Sequence, residues 1–94
     1  MTVNFTRISD ISDEAFVAAV IQAAAIRGHK HATRWDVAQV LGGTPENINE
    51  PRLAVLDVPG VPEKLVLAKA SKMIRRGRLD GCACGCRGDF APVN

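Results

Sequence analysis

Three cysteines at every second position, Cys82, Cys84 and Cys86 in "LDGCACGCRGDF" (79–90), are the residues whose type and spacing most invite chemistry. Thiolates bind zinc or exchange disulfides, and a protonated thiol fills space as a small hydrophobe. Zinc holds each sulfur at about 2.3 Å and draws the sulfurs together. Alternate residues of an extended strand lie about 6.6 Å apart, so a straight C-x-C serves zinc poorly unless Gly85 turns the chain. His29 or His31 would then supply a fourth ligand from a distance. Redox exchange is favoured by Arg78 and Arg87, whose charge lowers a thiol pKa, and disfavoured by the lack of a C-x-x-C pair. The balance falls on packing, with no cofactor expected and zinc on Cys82, Cys84 and Cys86 as the minority alternative.

The second concentration of chemistry is positive charge. The chain of 94 residues carries a formal net charge of only +2, but residues 64–88 hold Lys64, Lys69, Lys72, Arg75, Arg76, Arg78 and Arg87 against Asp80 alone. One end of the molecule is therefore a positive pole suited to a polyanion, though a solvated basic helix face has the same composition. Catalytic patterns are missing: no glycine loop ending in Gly-Lys-Ser or Gly-Lys-Thr, no paired helical histidines with a glutamate, no serine elbow. The chain is expected to bind rather than catalyse.

These groups must be positioned by a small, mostly helical framework. Apolar residues make up 47% of the chain with no Tyr, three Phe and one Trp, so one core built from Val, Leu, Ile and Ala is expected within a single domain over 1–94. Ser12 caps a helix that starts with Asp13 and Glu14 and stops at Gly28, with Phe16, Val20 and Ala24 beside Val17 and Ile21 as its apolar stripe. Thr33 and Asp36 form a capping box for "RWDVAQVL", which stops at Gly42 and Gly43. Its Val37, Val40 and Leu41 should face the core, with a half-buried Trp35 or Ala38 at one edge. A long connection, 44–61, follows, with "RLAVLDV" (52–58) as a short strand.

Pro62 and Glu63 begin a third helix that ends at Gly77, with Val66, Ala70, Met73 and Ile74 behind and Lys64, Lys72, Arg75 and Arg76 in front. From Leu79 to Phe90 the glycines and apolar ends read as a β-hairpin with its tip near Gly85–Gly88. The fold class is mainly α with a small β-hairpin: three helices plus a C-terminal wing, the layout of a winged helix-turn-helix. In that layout Lys64, Lys69, Lys72, Arg75, Arg76, Arg78 and Arg87 would meet DNA phosphates. The departure is the connection of about eighteen residues where such motifs use three or four. If it covers the third helix, groove insertion is blocked.

"HATRWDVAQVLGG" followed by "VPEKLVLAKASKMIRRGRLDGCACGCRGDF" resembles a set of small proteins encoded by actinobacterial phages, of mycobacteriophage type. Their ending, RRG-x-[hydrophobic]-DGC-x-CGCRGDF, follows a lysine-bearing helix. The likeness covers roughly residues 31–90 and implies a phage protein with a winged-helix-like fold. It also implies either a DNA-binding regulator or an early product that binds and inhibits a bacterial host protein.

The N-terminal "MTVNFTRISD" lacks the basic start and apolar centre of a secretory signal, and Phe16–Ile26, interrupted by Gln22, is short of the about 20 residues a bilayer requires. The expected location is the host cytoplasm, without a membrane partner. There thiols stay reduced, and an odd cysteine count fits no closed disulfide framework. Nothing in the pattern fixes the oligomeric state.

Overall fold

A single hydroxyl sets the first helix: Ser12 Oγ accepts the Ala15 N–H at 3.1 Å, while Asp13 and Glu14 sit at the positive end of the helix dipole. The computed structural model describes residues 4–50, 52–53, 58–82 and 89–92. Helix α1 (Asp13–Arg27) follows a 3₁₀ turn at Ile8–Asp10 and stops at Gly28. Its buried stripe is Phe16, Ala19, Val20, Ala23 and Ala24, the i, i+3, i+4, i+7, i+8 pattern of a helix packed on one side. The expected stripe needs one correction, because Ile21 lies 49% exposed beyond its edge.

Strand β1 (Ala32–Thr33) falls between the Gly28 stop and the second helix, where the sequence pattern marks no strand. Two residues are too few for an alternating pattern to register. Helix α2 (Arg34–Leu41) then starts on the expected capping box, with Asp36 N–H donating to Thr33 Oγ1 at 3.2 Å and Thr33 N–H to Asp36 Oδ2 at 3.1 Å. Val37 and Ala38 are buried, Trp35, Val40 and Leu41 half-buried.

The expected double-glycine stop divides into two jobs. Gly43 adopts φ 82° and closes the helix, its N–H reaching Val40 O at 3.1 Å and the next N–H, of Thr44, reaching Gln39 O at 2.8 Å. Gly42 has an ordinary φ of −81°, and a Cβ there would collide with Val58 Cγ1. It is small to let the long connection pass.

That connection carries a 3₁₀ segment at Pro45–Asn49, which packs on α1 and α2 with Ile48 buried. Of the expected strand over 52–58, Arg52 and Leu53 lie in a turn, Val58 forms an isolated bridge to Val61, and residues 54–57 lie outside the described residues. Helix α3 (Glu63–Arg75) begins directly after Pro62 and buries Val66, Lys69, Ala70 and Met73.

Strands β2 (Leu79–Cys82) and β3 (Asp89–Pro92) pair antiparallel, Leu79 opposite Pro92 and Cys82 opposite Asp89. The hairpin is thus formed, while its expected tip, with Cys84, Cys86 and Arg87, lies outside the described residues. The sheet has three strands in the order β1-β3-β2, Ala32 pairing with Phe90. Phe90 and Phe16, both fully buried, stand 6.5 Å apart between ring centroids and join the sheet to α1. The architecture is mainly helical, three helices with one small antiparallel sheet, and among the described residues no helix is long and apolar enough to cross a membrane.

Candidate nucleic-acid interface

The placement of α3 rests on ion pairs at both ends. Arg34, at the start of α2, meets Glu63 Oε1 at 2.6 Å and stacks over Trp35, its guanidinium carbon 4.3 Å from the ring centroid. The starts of α2 and α3 are thereby joined although the long connection separates them in sequence. Arg27, at the end of α1, grips the fully buried Asp36 in a fork, Nε to Oδ2 at 2.5 Å and Nη2 to Oδ1 at 2.8 Å. The three helices are therefore tied in series, α1 to α2 and α2 to α3.

At the far end of α3 the tie is Asp13. Its Oδ1 accepts from Lys69 Nζ at 2.6 Å, its Oδ2 accepts from Arg76 Nη1 at 3.0 Å, and Arg78 Nη1 lies 4.0 Å from Oδ2. The hydrogen bond from Lys69, with the charges of Lys69, Arg76 and Arg78, holds the Asp13 carboxyl below the ordinary carboxylate pKa. Asp10 is lowered as well, by backbone N–H groups of Thr6 and Arg7 and the Thr6 hydroxyl, which it accepts at 2.9 to 3.1 Å.

The expected set of phosphate contacts changes accordingly. Lys69 is buried, only 4% of its side chain exposed, and its ammonium faces Asp13 rather than solvent. It is a structural cation and leaves the candidate surface. Lys64, Arg75, Arg76 and Arg78 are exposed and Lys72 half-buried. At 100° per residue Lys64, Lys72, Arg75 and Arg76 span an arc of about 120° on α3, and Arg78 follows one residue beyond Gly77. Leu65, which helical spacing puts within that arc, is half-buried against the core, and Ala68 in the same arc is exposed. Arg87 lies outside the described residues.

Sequence reasoning treated Asp13 as a helix-start acid and gave Gln39 no role. Gln39 is buried and fastens the connection: its Nε2 donates to Leu53 O at 2.8 Å, and its Oε1 accepts from Thr44 Oγ1 at 2.6 Å and Asn47 Nδ2 at 3.3 Å. The described first half of the connection is thereby held against α2 and α1.

The thiol chemistry is only partly placed. Cys82 belongs to β2, whereas Cys84 and Cys86 lie outside the described residues. Among the described residues no three His, Cys, Asp or Glu side chains converge as a metal site. His29 and His31 are both exposed and border an open groove of about 490 Å³ with Ile21, Lys30, Asp80 and Ala91. No family model, curated protein or solved structure matches the chain.

Proposed function

We propose that this chain is a winged helix-turn-helix-like DNA-binding regulator acting in the cytoplasm of a bacterial host. Lys64, Lys72, Arg75, Arg76 and Arg78 face the nucleic acid; Arg87, expected beside them from the sequence, lies outside the described residues. The observation that carries the reading is the one-sided set of five cations that remains once Lys69 is withdrawn into its pair with Asp13. Such a surface supplies the sequence-independent attraction on which DNA binding is built. Two further observations support it. The element order, helix, short strand, two helices and then a hairpin whose last strand pairs with the first, agrees with a winged helix. Gln39 and Ile48 also hold the first half of the long connection, Thr44 to Asn49 with Leu53, on α2 and α1.

The test is fluorescence anisotropy of a labelled mixed-sequence duplex at several salt concentrations. Binding should fall steeply with salt, each neutralised phosphate contributing about 0.9 to the slope. Arg75→Ala with Arg76→Ala should flatten it. A slope near zero, or no binding at low salt, would sink the reading.

A second reading is a module that binds and inhibits a bacterial host protein. What favours it is exposed apolar surface away from α3: Leu53 in the long connection, 38% exposed, and Ile21 in the groove beside β3. On this reading duplex binding is absent, and Ile21→Asp or Leu53→Asp releases one co-purifying host protein.

A further inference from the structure

Arg76 and Arg78 are two residues apart, a spacing that points side chains to opposite sides of a helix. Here the helix has ended. Gly77 takes φ 75°, its N–H reaches Ile74 O at 3.0 Å, and the Arg78 N–H reaches Met73 O at 2.9 Å, the reversal that left-handed glycine permits at a helix end. The turn brings both guanidinium groups toward one oxygen, Asp13 Oδ2: Arg76 Nη1 is hydrogen-bonded at 3.0 Å and Arg78 Nη1 stands at ion-pair distance, 4.0 Å. Asp13 itself is fixed from the other side by buried Lys69.

The charges of this cluster do not close. Among the described residues three cations share one carboxylate, an excess of two positive charges. The Arg76 and Arg78 side chains remain 51% and 44% exposed. A guanidinium carries five N–H donors, and among the described residues Asp13 is the one carboxylate within 4.0 Å of either group. The hydrogen bond on Arg76 and the charge attraction on Arg78 bias both side chains toward a common anchor, which lowers the ordering cost a ligand must overcome.

We propose that Arg76 and Arg78, aimed by Asp13, form one seat for a single phosphodiester group at the turn between α3 and β2. This deepens the nucleic-acid reading and rests on it for the source of the phosphate. The two arginines act as one clamp on one phosphate, and not as separate contacts along the backbone. Asp13 is a positioning residue that touches no ligand.

The experiment is a titration of inorganic phosphate into ¹⁵N-labelled protein, following the arginine Nε–H signals. Arg76 and Arg78 should shift on one common isotherm while Arg7 and Arg52 stay still. In Arg76→Ala the affinity reported by Arg78 should fall about tenfold, the loss of one charge-assisted contact. Separate isotherms, or shifts no larger than that of Arg7, would overturn the seat. Both variants keep the Lys69–Asp13 pair, so the fold is retained, which circular dichroism checks. Against duplex DNA, Arg76→Ala, Arg78→Ala and the double variant should each flatten the salt slope by about 0.9, one phosphate. A double variant that loses twice the single loss assigns two phosphates and also overturns the clamp. If inorganic phosphate binds as expected and no duplex does, the seat stands and the nucleic-acid reading falls.

Discussion

Lys69 Nζ donates to Asp13 Oδ1 at 2.6 Å across 56 positions of sequence, and this pair separates the structural cations of α3 from the available ones. Lys69→Met keeps the volume and removes the charge. The duplex salt slope should stay at its wild-type value while the thermal midpoint falls, because the ion pair that a buried lysine makes with Asp13 is lost. Lys64→Ala should do the opposite, flattening the slope by about 0.9 with little change in stability. A slope that drops in Lys69→Met while Arg76 and Arg78 still shift together with inorganic phosphate would return that lysine to the binding surface.

The same carboxylate sets an acid limit. The folded-state pKa of Asp13 is depressed below 3.8 by Lys69, Arg76 and Arg78, so the stability it contributes is fully present above 3.8. It is lost as pH falls through the lowered folded value. Asp10, depressed by the Thr6 and Arg7 N–H groups, acts in the same direction. Urea midpoints should therefore be flat from neutral pH to about pH 5 and fall progressively below it. Asp13→Asn should start lower and show a shallower acid limb. An equally steep limb in that variant would place the titration elsewhere.

Local chemistry was legible in the sequence wherever partners are near in sequence. Ser12, the Thr33–Asp36 box, Gly28 and Gly77 all bond within one turn, and their residue types announce it. Asp13 was not legible as a hub, because its partners lie beyond α2 and the long connection. A usable signal for Lys69 existed: it lies within about 60° of both Val66 and Met73 on the helix, at the margin of the buried stripe. Its length and charge suggested solvent, yet a carboxylate waited at its tip. For Gln39 no pattern could serve, since one partner is the Leu53 carbonyl, which no side-chain code marks.

Gln39 gives the third prediction. Its amide joins Thr44, Asn47 and Leu53, so Gln39→Leu should release the connection without disturbing α3. The expected loss is about 1–3 kcal/mol, the penalty for buried polar groups left without partners. Hydrogen exchange should accelerate at residues 44–50 and remain slow in Val66–Met73. Uniform acceleration throughout would mean that Gln39 supports the whole core instead.

Gly42→Ala tests whether that glycine is small for the turn or for the neighbour. Its φ of −81° suits alanine, and alanine in an otherwise helical end should stabilise by removing unfolded-state freedom. The obstacle is steric: the added methyl would collide with Val58 Cγ1 and stand 3.2 Å from Ala38 O. Val58 bridges Val61, which is fully buried and leads directly into α3, so the displacement should propagate to the start of that helix. The expected cost is about 1–3 kcal/mol, typical of an overpacked site. A compensating Val58→Ala should recover most of it, since it removes the atom that the methyl strikes. Gly43→Ala should also destabilise, but through its φ of 82° with open space around it, so Val58→Ala should give it no relief. Rescue of both variants, or of neither, would refute the division of labour between the two glycines.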